Sequence, residues 1–163
     1  MQFHHYRNLF HKGEKGLDIR HFAENKLEIK TGIWLDSVVL KIQKQLWRNS
    51  DADAFQSGIF FSVWVNGESL SKNKLYYNIH ALKLRELKSY RLKSREFAEA
   101  FRERFKPFET EWPNVGTGFG PLTLMEGWVE IDSTNLEKQV QQLSSSFLSI
   151  YPIIDELLLA VKK

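Results

Sequence analysis

Six cations fall within a short stretch of this chain: Lys83, Arg85, Lys88, Arg91, Lys93 and Arg95, with Tyr90 among them. Arg offers a planar donor fork and Lys a compact charge, so such a cluster suits phosphate or carboxylate. A helix starting near Ser94 adds unpaired backbone N–H groups to the same end. Tyr90, or an exposed aromatic on a strand, could stack on a nucleobase. The cluster is the steepest part of a charge step. Residues 72–106 hold 11 Lys or Arg against 4 Asp or Glu, whereas residues 107–163 hold 3 against 8. The competing account is a solvated basic loop, partly neutralised by the acidic C-terminal third.

A second set is aromatic. Phe60, Trp64, Tyr76 and His80 lie at strand spacing on what should be one face of a sheet. They could line a pocket of the usual kind, mostly apolar with a few placed polar groups. The loop 112–121 could serve as its lid. His80 then acts as a general base or a pH-sensitive group, or as a hydrogen-bonded structural histidine.

The remaining chemistry-bearing residues say less. Gly116, Gly118 and Gly120 are followed by Pro121 and a strand, without the Lys-Ser/Thr of a phosphate loop or the helix of a dinucleotide fingerprint. His4 and His11 share a helix face but stand two turns apart, farther than a helical metal pair requires. Asp18 with Glu28-Ile29-Lys30 has the residue types of a metal-dependent nuclease centre, yet no clear hairpin precedes it and ordinary solvated charges explain it. No metal site and no cofactor is expected.

These side chains need elements to hold them. Phe3, Tyr6, Leu9 and Phe10 recur at helical spacing. Asp18 can cap a second helix. Residues 36–47 fit strand or helix, and β-branched Val38, Val39 and Ile42 tip them towards strand. Ile59, Phe61, Val63 and Val65 alternate with Phe60, Ser62 and Trp64, a strand with two different faces. Asn66-Gly67 marks a turn, and a long strand over 75–87 pairs back antiparallel. Its apolar parity slips near His80–Ala81, which predicts a bulge. Ser94 caps a helix that buries Phe97, Phe101 and Phe105 against these strands, leaving Arg102 in water; Pro107 ends it. A strand over 122–131 follows, then a helix capped by Ser133 or Thr134, and a last helix with Pro152 in its first turn.

The expectation is one α+β domain over residues 1–163, with a mostly antiparallel central sheet, helices on one face and a helical C-terminus. A chain of 163 residues with 42% hydrophobic and 13% aromatic content builds its own core. The chain has no cysteine, which removes thiol chemistry and suits a reducing compartment. No stretch resembles a membrane span or a secretory leader, so a cytoplasmic protein without a membrane partner is expected. The first functional expectation is a non-enzymatic module that binds nucleic acid or another polyanion through 83–95. The second is a small-ligand receptor or enzyme using the aromatic sheet face. The third is an interaction subunit that self-associates through its basic and acidic surfaces.

Overall fold

In the computed structural model, which describes residues 1–163, helices α1 (Phe3–Lys15) and α2 (Ile19–Glu24) precede the sheet. Strands β1 (Glu28–Trp34), β2 (Ser37–Gln43) and β3 (Gly58–Val65) follow, then the short helix α3 (Gly67–Ser71) and β4 (Lys74–Leu82). Helix α4 (Ser94–Phe105), β5 (Thr123–Glu130), α5 (Leu136–Ser146) and α6 (Tyr151–Ala160) complete the chain. The five strands form one antiparallel sheet in the order β1-β2-β3-β4-β5. This is the expected α+β domain.

Alternation decides which side of the sheet becomes core. Val38, Leu40, Ile42, Phe61, Val63, Leu75, Tyr77 and Ile79 are all fully buried under the helices. Phe61 stacks on Phe147 with ring centroids 4.6 Å apart, which ties the sheet to the end of α5. Trp47 is buried, and its indole N–H donates to Asp155 Oδ1 at 2.9 Å. The parity slip expected at the end of β4 is present as a register shift between Ile79 and His80.

Several expectations are corrected. β4 ends at Leu82, and Lys83 adopts a left-handed conformation (φ 54°) before a 3-10 turn over Leu84–Glu86. Lys83 and Arg85 therefore do not share a strand face. Asn66-Gly67 opens a helix, not a hairpin turn: the Asn66 side chain accepts from Ser69 N while Ser69 Oγ accepts from Asn66 N, a reciprocal capping box. Ser94 is already inside α4 and makes no cap bond, with Lys93 at the boundary. Phe97, Phe101 and Phe105 are buried as expected, but α4 packs on β5 and α6. The N-cap of α5 is Asn135, in a loop organised by Asp132, which accepts from Thr134 and Asn135.

By length and composition the helical run Leu136–Ala160 is apolar enough to cross a membrane, with a mean hydropathy of 1.3 in its best window. This differs from the expectation that no stretch is long and apolar enough to span a membrane. A 3-10 turn over Phe147–Ser149 divides the run into α5 and α6. Leu136, Val140, Phe147, Ile150, Ile154 and Leu158 are spent on the domain core.

Candidate functional site on the open face of the sheet

Helices cover one side of the sheet; the other side carries the second set of alternating residues. The register places Lys30, Lys41, Ser62, Asn78 and Glu126 side by side across all five strands. This polar row lies between two aromatic rows. Val39, Trp64, Tyr76 and Trp128 are aligned on one side. Phe60, His80 and Thr123 are aligned on the other.

Both aromatic rows are braced by cations. Trp64 stacks on Tyr76 at 4.7 Å and 12°, and Lys74 Nζ sits 4.0 Å from the Trp128 ring centroid. Phe60 packs against His80 at 5.0 Å. Lys41 Nζ lies 4.7 Å from the Phe60 centroid and 4.1 Å from that of Trp34. The Trp34 ring can fold over β1 because residue 32 is glycine: a Cβ there would stand only 3.2 Å from the indole.

Between the ridges is a hollow of about 400 Å³, lined by Trp34, Val39, Lys41, Phe60, Ser62, Trp64, Asn78, His80, Thr123 and Glu126 among others. Two polar atoms on its floor have no partner in the protein, Ser62 Oγ and Asn78 Oδ1. Their residues are 1% and 3% exposed. The amide of Asn78 is anchored from its other end, because Nδ2 donates to Glu126 Oε1 at 3.1 Å. A buried polar group without a partner costs about 1–3 kcal/mol. A hollow of this size far exceeds the roughly 10–15 Å³ that one bridging water needs.

Lys41 forms one end of the floor. Its Nζ donates to the Phe55 carbonyl at 2.8 Å, and Gln43 Oε1 accepts from Phe55 N at 2.8 Å. Together they hold Phe55 in a left-handed conformation (φ 66°), which costs a bulky residue strain. Burial lowers the Lys41 pKa to about 8. His80 is pushed down to about 4, first by burial and then by the Lys41 charge, so its imidazole is neutral at pH 7. A neutral imidazole carries one donor and one acceptor nitrogen.

No known family model matches the chain, and no curated protein or solved structure matches it.

Of the four aromatic-face residues expected from sequence, Phe60, Trp64 and His80 line the hollow, and Tyr76 lies beside it against Trp64. The loop 112–121 contributes nothing to its lining. That loop runs along the outer side of β5, fixed by Tyr77 Oη donating to Pro113 O and by a two-way backbone bridge between Gly116 and Glu126. Arg102, expected in water, donates to the carbonyls of Phe119, Gly120, Thr123 and Leu124. The loop is clamped, not a lid. Sequence reasoning missed Trp34, Lys41, Ser62, Asn78 and Glu126. The available signal was parity, since Lys41, Ser62 and Asn78 stand at alternate positions of otherwise apolar strands.

The basic stretch is arranged differently. Lys83, Arg85, Arg91 and Arg95 are exposed; Lys88 pairs with Asp51 at 2.9 Å and Lys93 lies 3.9 Å from Glu96. Tyr90 is 8% exposed, and its hydroxyl donates to the Leu46 carbonyl at 3.0 Å. Its ring belongs to the core and cannot receive a base. Residues 89–91 pair with the C-terminal segment: Arg91 N donates to Val161 O and Lys163 N to Ser89 O. That pairing sets Lys162 opposite Tyr90 and Lys163 opposite Ser89, which adds two cations to the basic stretch that local sequence did not reveal. The other sequence candidates stay apart. Asp18 caps α2 through His21 N, Glu28 pairs with Arg48 at 3.0 Å, and His4 contacts Asn8. No three of the His, Asp and Glu side chains converge.

Proposed function

We propose that this protein binds a small polar ligand on the open face of its sheet. The observation carrying this reading is the pair of buried, unpartnered atoms, Ser62 Oγ and Asn78 Oδ1, on the floor of an aromatic-walled hollow. A ligand that bonded both would recover a desolvation cost already present in the empty fold. Glu126 at one end of the floor orients it, and the half-buried Trp34 and Trp64 supply apolar contact. The test is a thermal-shift and tryptophan-fluorescence screen of uncharged ring compounds against the parent and Asn78→Leu. A ligand present at ~100 times its Kd adds about 2.7 kcal/mol. The reading holds if hits on the parent vanish in Asn78→Leu. It fails if no compound shifts the parent, or if Asn78→Leu responds equally.

A second reading keeps the polyanion module, and the docking of Lys162 and Lys163 against residues 89–90 of the basic stretch favours it. Phosphate contacts release counterions, so binding of short DNA or RNA should weaken steeply with salt. Absence of binding at low salt, or indifference to Arg91→Glu with Lys162→Glu, ends it. We also propose a cytoplasmic location, which a cysteine-free sequence suits; fractionation of expressing cells checks it.

A further inference from the structure

We propose that the ligand of the open sheet face is a neutral saccharide or similar polyol. The inference rests on the sheet-face reading and follows from what the site has left unspent.

The donors are largely committed. Lys41 Nζ is held by Phe55 O and the rings of Trp34 and Phe60. Lys74 sits over Trp128, and Asn78 Nδ2 is bonded to Glu126 Oε1. What remains on the floor is the Asn78 carbonyl oxygen, the second carboxylate oxygen of Glu126 and the Ser62 hydroxyl, while the Ser37 and Thr123 hydroxyls and the Asn66 amide stand at the rim. Two of the floor groups only accept, and the third donates one hydrogen bond and can accept up to two. The partner must therefore bring donors to the amide and carboxylate, and a group able to answer a hydroxyl. Ligand hydroxyls do both.

Charge narrows the class further. The open face carries Lys30, Lys41 and Lys74 against Glu28, Glu126 and Glu130, and Arg48 pairs with Glu28, so the face is close to neutral, with a formal balance of +1. A phosphate or carboxylate brings only acceptors and meets Glu126 and the Asn78 oxygen, both of which repel it. A polyamine brings only donors and meets Lys41 and Lys74 at the two ridges. A neutral polyol meets neither penalty. The floor from Ser62 to Glu126 crosses two strand spacings, about 10 Å, the length of two linked sugar rings. The half-buried Trp64 and Trp34 offer apolar surface to the C–H faces of such rings, and neutral His80 adds one donor and one acceptor at the edge.

The test measures binding of glucose, maltose, cellobiose and N-acetylglucosamine by thermal shift and side-chain amide NMR of Asn78. Glucose 6-phosphate, adenosine and arginine are the comparison probes. A neutral saccharide should bind, its phosphorylated form at least tenfold more weakly. Ser62→Val and Asn78→Leu, each shown folded by circular dichroism, should lower saccharide affinity at least tenfold. Binding of adenosine or arginine through Asn78 without any saccharide response overturns the ligand class and leaves the sheet-face site standing. Silence of every probe and of a wider library, with an ordered water only on the floor, overturns both.

Discussion

Replacing Ser62 with valine should stabilise the unliganded protein while removing its binding. Ser62 is 1% exposed, stands mid-strand in β3, and its Oγ has no partner. Removing an unpaired buried hydroxyl recovers about 1–3 kcal/mol. Valine adds a β-branched side chain where the backbone is already extended. Its extra methyl bulk enters the hollow of about 400 Å³ instead of a filled core, so overpacking is avoided. The net expectation is a gain of about 1–3 kcal/mol, at about 2–4 °C per kcal/mol for a domain of this size. Urea and thermal denaturation of the two proteins without ligand decide it. A variant less stable than the parent by 1 kcal/mol or more would mean that the hydroxyl is bonded in the empty protein, and the argument for a ligand from orphaned atoms would collapse.

His80 should make the fold acid-sensitive. Its pKa is about 4 in the fold against 6.5 for the free side chain, so its contribution is intact above pH 6.5 and lost as pH falls towards 4. The full shift corresponds to an order of 3 kcal/mol; His80→Phe should flatten the stability profile in that window, and an unchanged slope refutes the assignment. Arg102→Ala should cost about 2–4 kcal/mol because four carbonyls lose a charged donor, approaching the ~3–5 kcal/mol of Phe101→Ala; equal melting of Arg102→Ala and the parent removes the clamp. Gly127→Ala should be strongly destabilising, since the new Cβ runs into the Tyr77 hydroxyl and lies 2.8 Å from Pro113 O. Tyr77→Phe in the same chain should recover little, because the ring carbon Cζ stands 2.5 Å from that Cβ; a Gly127→Ala variant that melts with the parent in thermal denaturation counts against the contact.

Strands β3, β4 and β5 were readable from alternating side-chain types, and β-branched residues tipped 36–47 correctly towards β2; β1, Glu28–Trp34, was missed because its Glu-Ile-Lys-Thr-Gly run shows little apolar alternation. The same rule identified Phe60, Trp64 and His80 as sharing a face. It missed the floor because a sequence does not state that Ser62 stands opposite Lys41 and Asn78; only the register does. Arg102 was misjudged for a related reason. A charged residue on the polar side of an amphipathic helix reads as solvated, yet the chain returns after Pro107 and lays four carbonyls beside it. Tyr90 looked available among cations, but the C-terminal segment docks on its backbone and turns the ring inward. Asn66-Gly67 fits a hairpin turn or a helix start equally well, and Ser69 settled the matter by closing the capping box.

The clamped 112–121 loop has a consequence for how copies of this chain could meet. The two margins of the sheet are unequal. Along β5, Glu126 already exchanges both backbone bonds with Gly116, and Asn114 Nδ2 occupies the Trp128 carbonyl. Along β1 the outward N–H and C=O groups have no strand beside them. A sheet open at both margins can recruit copy after copy into a fibre. A sheet open at one margin cannot: joining β1 to β1 about a two-fold axis consumes the free margin of both copies, and growth stops at two.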